Sequence, residues 1–463
     1  MKEYSALRNR IGYGIGTIGR DMVAAMVSLY LMFYVTDVLR VSTETLASLT
    51  VIMVFMRIFD GVNDPFMGTL VDSTQTRWGK FKPWIFGGAL AWAVAHVLMF
   101  IDTGLSGFPY LLVFTLLYLA WEVSYTANDI AYWSMIPSLS RDQKEREKIG
   151  SVARICASLG MFAFIVSLLP LTNFLAGITG SLKSGWLLLA VITAGLMLVF
   201  QFISLAVIKE ERIPLKAEDK KTGFLELFKI IFKNDQLLIV TFAMLFFMSG
   251  YTATTGLGIY YFKYIFGDEN MYSVFALILG VSQILGLAFF PLVSKRMKRR
   301  SVFSLAIALV LIGYAAFYFS PPNIIYVGIA GIFIFVGQAF IQVLMLMFIA
   351  DSVEYGQWKF GKRNESVTFS LQPLIYKVSN AIATGLIGFT VIRSGIKEAE
   401  LASDVTARGS LVLKSSMLVY PAIFVVIAFI VVFFFYKIDE KFYAEILRDN
   451  KAAEEAILAD RAD

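Results

Sequence analysis

One cysteine and one histidine are all that these 463 residues contain. A single thiol, Cys156, excludes an internal disulfide framework and any cysteine-based metal site. A single imidazole, His96, excludes a histidine cluster. Both fit bland roles as residues placed singly within apolar segments. Charge is also scarce: Asp, Glu, Lys and Arg make up 16% of the chain, against about 25% in a soluble domain. Hydrophobic residues make up 58%, and the mean hydropathy is +0.70. A chain this apolar cannot hide its surface inside a water-soluble core, so part of its solvent is lipid. The first apolar run is too long for a signal-peptide core, and no small-residue cleavage pattern follows it, so no cleavable leader is expected. The net charge of +6 does not indicate nucleic acid, because the basic residues sit in short links between apolar runs.

A spanning helix needs roughly 20 apolar residues. By that measure the chain reads as an all-α integral membrane protein of about twelve spans, near 11–38, 43–71, 83–102, 109–137, 151–178, 184–208, 236–264, 271–294, 301–319, 323–350, 367–396 and 411–437. Link charge alternates. Arg77, Lys80 and Lys82 follow span 2, and Lys295, Arg296, Lys298, Arg299 and Arg300 follow span 8. The links after spans 3 and 9 carry no Lys or Arg. The positive-inside rule then puts the basic links and both termini in the cytoplasm of a cell-membrane protein. The longest polar link, 209–235, divides the chain into a six-helix bundle at 1–208 and another at 236–437, with a charged, helix-prone cytoplasmic tail at 438–463. Two six-helix halves are the signature of the major facilitator architecture, with substrate held between them near the midplane. No nucleophile–base set and no soluble catalytic domain is visible, so an enzyme is not expected. Neither is a cofactor.

Span 2 holds the most expensive residues. It reads Arg57-Ile-Phe-Asp60-Gly-Val-Asn63-Asp64-Pro65. An ionisable group at mid-membrane costs several kcal/mol, and such groups are functional by default. Asp60 and Asp64, at i and i+4, share one helix face, with Asn63 on the adjoining stripe. Two carboxylates and an amide oxygen are hard ligands of the kind small cations prefer. Pro65 leaves the Gly61 carbonyl free as a further ligand. The structural alternative is an Arg57–Asp64 pair holding the bundle together.

Span 4 carries Trp121, Tyr125, Asp129 and Trp133 at four-residue intervals, a slowly drifting stripe. An aromatic–carboxylate stripe suits a sugar: ring faces stack on Trp or Tyr, and a carboxylate accepts from paired hydroxyls. Its alternative is ordinary helix packing. Thr126 adds an oxygen near the cation set. Arg20 and Asp21 lie in span 1, either paired structurally or with Asp21 facing substrate. In the same span Gly14, Gly16 and Gly19 spell GxGxxG, but no strand precedes them, which excludes a dinucleotide site. Gly12 and Gly16 instead form GxxxG, a close-packing face. Span 11 contains Gln372, Tyr376, Lys377 and Asn380. A lysine ten residues into a span wants a carboxylate partner. The basic loop around Arg77-Trp78-Gly79-Lys80-Phe81-Lys82-Pro83 reads as an orientation signal and helix latch, with anionic lipid binding as the alternative.

The span 2 string from Arg57 to Gly68 and the loop Arg77–Pro83 resemble the glycoside–pentoside–hexuronide:cation symporters, and among these the melibiose:sodium symporters most. Gly16–Asp21, Tyr125–Trp133, Gly258–Asp268, Ala350–Gly356 and Glu365…Gln372…Lys377 carry the same resemblance, which extends over nearly the whole chain. It implies the major facilitator fold and sugar uptake coupled to Na⁺, Li⁺ or H⁺ by alternating access, in a protein functional as a monomer. Position by position, it implies a cation at Asp60, Asn63, Asp64 and Thr126. It implies a sugar at Arg20, Asp21, Tyr125, Asp129, Trp133, Arg154 and Lys377, with Gln372 and Tyr376 beside the lysine. Gln342 stands where melibiose-type members have Trp, and Arg20 where they have Lys, so the glycoside itself is open. Na⁺ is the expected ion. The alternatives are H⁺-coupled symport of a pentoside, hexuronide or other glycoside through the same site, or a lipid or drug transporter of the same fold.

Overall fold

The structure is a computed structural model, and it describes residues 2–74, 76–140, 143–208, 232–361, 365–399 and 401–460. Most of the expected link 209–235 therefore lies outside the described residues. Those described contain no strand; their only bridge is an isolated Thr76–Gly79 pair. Twelve long helices follow the order read from the sequence. They are α1 (Lys2–Phe33), α2 (Thr43–Ser73), α3 (Lys82–Met99), α4 (Gly107–Ser134), α5 (Gln143–Thr179), α6 (Leu182–Val207), α7 (Asp235–Tyr261), α8 (Met271–Ser294), α9 (Arg299–Phe319), α10 (Ile324–Phe360), α11 (Glu365–Ser394) and α12 (Ala407–Lys414, resuming at Tyr420–Phe435). A thirteenth helix, α13 (Glu440–Asp460), forms the tail. Three single π turns extend or interrupt this set, at Tyr34–Val38, Phe262–Phe266 and Ser415–Val419.

Ten of the described helices are long and apolar enough to cross a membrane. Of the twelve that precede the tail helix, the two that fall short are α2 and α3. The first is loaded with Glu44, Arg57, Asp60, Asp64 and Asp72; the second is short and carries Lys82, His96 and two glycines. Large apolar side chains such as Phe55, Phe66, Phe108, Leu116, Ile155 and Leu159 stand exposed on the helix faces. In water that would be a severe cost; against acyl chains it is none. The backbone is satisfied within the helices, as lipid requires, and polar residues close the ends. Ser42 Oγ accepts from Thr45 N–H to open α2. Asn323 opens α10, and Gly361, at φ 65°, closes it in the left-handed region that favours glycine.

The described chain clusters into two compact units. The first comprises Met1–Asp219, Phe262–Ala276 and Ile387–Gly409; the second comprises Lys220–Tyr261, Leu277–Leu386 and Ser410–Asp463. In the first unit α1 packs on α5 and α6, and α4 on α2 and α3. The glycines of α1 make this possible. A Cβ on Gly19 would lie 2.4 Å from Met197 Cα, and one on Gly12 would lie 2.7 Å from Val207. The GxxxG face read from the sequence thus packs against α6. We expect Gly19→Val to lower the melting temperature of the purified protein, by about 1–3 kcal/mol of overpacking or more, because backbone cannot yield. Gly195→Ala, with nothing within 4 Å of the added atom, should leave it unchanged.

The basic loop is a latch. Lys82 Nζ donates to the carbonyls of Leu205 (3.4 Å) and Ile208 (3.1 Å), at the negative end of α6. Trp84 Nε1 donates to Thr74 Oγ1 at 2.8 Å, closing the loop onto the end of α2. Deeper in, Asn128 and Gln201 exchange two amide bonds of 2.9 and 3.0 Å, and Asn128 also donates to Ile85 O. These bonds fix the rotation of α4. At 100° per residue, Thr126 lies roughly 200° from Asn128, on the face turned away from α6. His96 is buried against Thr193 at 3.3 Å, and Cys156 is free and half-buried.

In the second unit the extension of α10 beyond residue 350 is held by charge. Arg299 pairs with Asp351, and Tyr436 Oη donates to the same carboxylate at 3.3 Å. The tail helix lies against this extension. Asn450 Nδ2 reaches Glu354 O at 3.1 Å, Phe442 packs edge-on to Trp358, and Ile446 is fully buried.

Candidate functional site

The polar residues of the first unit form rungs across α1, α2 and α4. In the first rung Arg57 of α2 faces Glu122 of α4 at 3.5 Å and donates to Ser28 of α1 at 3.2 Å. Its guanidinium lies 6.0 Å from the Tyr118 ring centroid. In the second rung Thr126 Oγ1 of α4 donates to Asp60 Oδ1 of α2 at 3.0 Å. In the third, Arg20 of α1 bonds Asp129 of α4, and Trp133 Nε1 donates to the same carboxylate oxygen at 3.0 Å. Residue numbers rise together in α2 and α4 from one rung to the next, while those in α1 fall. Alternate spans of an up-and-down bundle must run in this way.

Two of the four expected cation ligands, Asp60 and Thr126, meet in the second rung. Asp60 is 2% exposed and Thr126 1%. Asn63 and Asp64 follow on the next turn of α2. Asn63 is buried, and its side-chain nitrogen has no hydrogen-bond partner among the described residues. A half-turn of that amide brings Oδ1 to the same point, where it can serve a cation. No cluster of three or more His, Cys, Asp or Glu suited to a metal ion occurs among the described residues. The donor set here is two carboxylates, an amide and a hydroxyl. Its hard oxygens fit a hard cation, and soft metals poorly.

The third rung carries the expected sugar contacts. Arg20 is 4% exposed, and its guanidinium lies 4.5 Å above the Tyr132 ring. Asp21 is within electrostatic reach of both Arg20 and Asp129. Tyr125 is within electrostatic reach of both Asp60 and Asp129. Its ring stacks on Trp121 at 5.5 Å and tilts against Trp92 at 5.1 Å. Arg154, exposed on α5, places its guanidinium 5.7 Å from the Trp133 ring centroid. Gln372, Tyr376 and Lys377 are half-buried on α11, within the second unit.

Two contacts could not be read from the sequence. The Arg57 side chain reaches Glu122, which no expected site included, and Ser28 completes that rung. The available signal was the four-residue step from Glu122 to Thr126, which puts both on one face of α4. Near the end of α1, Asp37 accepts from Lys263 Nζ at 2.6 Å and from the Tyr264 hydroxyl, and Thr36 Oγ1 donates to it at 2.7 Å. This buried cluster joins two of the π turns. Beyond the spans, the Arg10 guanidinium bonds Glu145 and holds its carboxyl below the usual range.

Comparison with known proteins places this architecture. Residues 12–440 match the family model described as MFS/sugar transport protein. The chain is 32% identical over 431 residues to a lactose permease of Lactobacillus delbrueckii subsp. bulgaricus, covering 91% of this chain and 69% of that one. It is likewise 32% identical to a raffinose carrier protein of Pediococcus pentosaceus, covering 92% and 68%. An isoprimeverose transporter of Lactiplantibacillus pentosus is 28% identical, covering 83% and 80%. In fold, the chain superposes on a bacterial homologue of the human lysosomal transporter Spinster with a TM-score of 0.67, at 12% identity and 96% and 98% coverage. It superposes on a mutant of the nucleoside transporter NupG with a TM-score of 0.64, at 14% identity and 93% and 100% coverage. The chain is a membrane transporter and not an enzyme, and it belongs to the MFS/sugar transport protein family, the glycoside–pentoside–hexuronide:cation symporters of the major facilitator superfamily.

Proposed function

We propose that this protein carries a sugar or glycoside into the cell together with Na⁺, from a cell membrane in which both termini are cytoplasmic. The cation occupies Asp60, Asn63, Asp64 and Thr126. The sugar binds Arg20, Asp21, Tyr125, Asp129, Trp133 and Arg154. Gln372, Tyr376 and Lys377 are proposed as further sugar contacts on the strength of the sequence motif alone. One observation carries the reading: the buried Asp60–Thr126 bond lies one turn along α4 from the Arg20–Asp129–Trp133 cluster. Residues 126 and 129 are separated by about 4.5 Å of helix rise, so ion and sugar sit close enough to influence each other's binding.

That proximity gives coupling a physical origin. Two carboxylates on one helix face are costly to enclose in a dry, low-dielectric intermediate. A cation relieves that cost. A sugar hydroxyl can accept from Arg20 while another donates to Asp129, satisfying both charges that the pair now satisfies mutually. The fully loaded form then crosses by alternating access, as a monomer. One monovalent cation gains about 2.3 kcal/mol per 100 mV, which supports roughly forty-fold accumulation.

The test is uptake into membrane vesicles from a panel of α- and β-galactosides, glucosides, xylosides and glucuronides, in Na⁺, Li⁺ or choline at fixed pH. Lactose and raffinose each contain a galactosyl unit, and the relatives named for them put galactosides first. We expect uptake of at least one panel member to rise with Na⁺. Stimulation by a pH gradient alone, indifferent to Na⁺, would replace Na⁺ with H⁺. Transport of none of them, with uptake of an apolar drug or lipid instead, would overturn the reading.

A further inference from the structure

The loop between α2 and α3, already a latch for α6, stands at the head of two apolar grooves. Segment 72–83 carries Arg77, Lys80 and Lys82 against one acid, Asp72. Lys82 donates to carbonyls at the end of α6, and a neutral acceptor leaves its charge in place. Arg77 is exposed, and Trp78 beside it is 64% exposed. One groove, of about 320 Å³, lies between α3 and α6. Trp78 meets Phe86 edge-on at 5.9 Å, and Phe86 stacks on Phe202 at 5.0 Å. Leu205 and Ala206 complete the apolar lining, in which Lys82 is the one charged residue. The other groove, of about 480 Å³, lies between α3 and the α2–α4 pair. Gly87, Gly88 and Ala91 of α3 leave it room, and the bonded pair Trp84–Thr74 closes its loop end. A Cβ on Gly87 would meet nothing within 4 Å. Both volumes fall in the range of small-molecule sites, about 300–1,000 Å³. At 100° per residue, Leu90 and Val94 lie on α3 between the two grooves, and both are exposed.

We propose that an anionic phospholipid binds here, its headgroup at Arg77, Lys80 and Lys82 and its acyl chains in the grooves that flank α3. Charge and lining select this ligand together. A soluble anion gains nothing from apolar grooves, and an apolar molecule gains nothing from three bases. Each Lys or Arg close to anionic headgroups raises affinity about fivefold. The exposed indole of Trp78 stands between the bases and the apolar lining, the level at which tryptophan favours a membrane. The stripe of Leu90 and Val94 faces acyl chains, so a lipid reaches both grooves from the bilayer without entering the helix bundle. No ion or sugar contact proposed above takes part, so the transport reading and this lipid site stand or fall separately.

The experiment is native mass spectrometry of the purified full chain, offered equal amounts of dioleoyl phosphatidylglycerol and dioleoyl phosphatidylcholine. The acyl chains are identical, so any preference reports the headgroup. We expect retained phosphatidylglycerol to exceed phosphatidylcholine by about tenfold or more. That margin should shrink as NaCl rises from about 0.05 to 0.5 M. In Arg77→Gln/Lys80→Gln it should fall to within about threefold, with phosphatidylcholine unchanged. The salt series needs no variant, so it decides the headgroup even where the double variant does not fold. Gly87→Leu tests the groove. Leucine fills the space and is the better helix former, so the melting temperature in lipid-free detergent should not drop. Retention of phosphatidylglycerol should nevertheless fall about threefold or more. Equal retention of the two lipids overturns the proposal, as does a preference that survives both salt and Arg77→Gln/Lys80→Gln. Retention untouched by Gly87→Leu leaves a surface charge without a groove and also overturns it. Inorganic phosphate in large excess should not displace the lipid; displacement marks a site for the free anion and overturns the lipid assignment.

Discussion

Asp60→Asn is expected to abolish cation-stimulated accumulation while leaving the protein folded and able to bind sugar. The substitution keeps the shape of the side chain and its acceptor oxygen, so the 3.0 Å bond from Thr126 can persist. What it removes is the buried negative charge. Removing one partner of a buried charged pair costs about 3–5 kcal/mol, and each 1.4 kcal/mol is about tenfold in affinity. Applied to the bound ion, this predicts a Na⁺ affinity at least about a hundredfold weaker. The roughly forty-fold accumulation that one cation supports per 100 mV should then collapse to equilibration. Measuring accumulation ratios in energised vesicles beside sugar binding to the purified protein separates the two effects. Normal Na⁺ dependence in this variant would remove Asp60 from the site.

Much of the fold was legible because hydropathy and helix ends speak about the same residues. Hydropathy places the eighth span at 271–294, and α8 is Met271–Ser294. Where the two disagree, a local reason is visible. α10 was expected to end near residue 350, where Asp351 and Glu354 break the apolar run. The helix continues to Phe360, because Arg299 pairs with Asp351 and Lys359 with Asp235. Polarity ends a membrane segment without ending a helix. The π turns at Tyr34–Val38 and Phe262–Phe266 had no such signal, since hydropathy is indifferent to one extra residue in a turn.

The site divides in the same way. Asp60, Asp64 and Asp129 could be found one at a time, because a carboxylate in an apolar helix is conspicuous in any sequence. Their partners could not. Whether Asp129 meets Arg20, or Arg57 meets Glu122, depends on how far α4 is rotated against α1 and α2. The Asn128–Gln201 amide pair fixes that rotation from the opposite face. Four-residue spacing limits which side chains share a face, and inter-helix packing then selects the pairs. For this reason the sequence offers an Arg57–Asp64 pair, and the structure adds Glu122 and Ser28 as partners of Arg57 that spacing within α2 does not reveal.

Asp129→Asn should produce the opposite phenotype to Asp60→Asn, with the sugar lost and the ion retained. Asp129 accepts from two donors on one oxygen, Arg20 and the Trp133 indole. An amide can still accept there, but it no longer neutralises Arg20, which is only 4% exposed. The guanidinium then keeps only the nearby Asp21 charge, and loss of its paired carboxylate costs up to about 3–5 kcal/mol in the absence of any ligand. A sugar cannot repair this, because its hydroxyls bring no charge. It also loses a charged acceptor, worth about 1.5–3 kcal/mol per hydrogen bond. Sugar affinity should therefore fall by about ten- to a hundredfold, with a lower melting temperature. The Na⁺ titration of that melting temperature should remain, since Asp60, Asn63, Asp64 and Thr126 are intact. Asp129→Glu keeps the charge on a longer arm, so it should recover stability before affinity. Loss of the Na⁺ response together with the sugar in Asp129→Asn would mean that ion and sugar share this carboxylate directly, and that the second and third rungs form a single site.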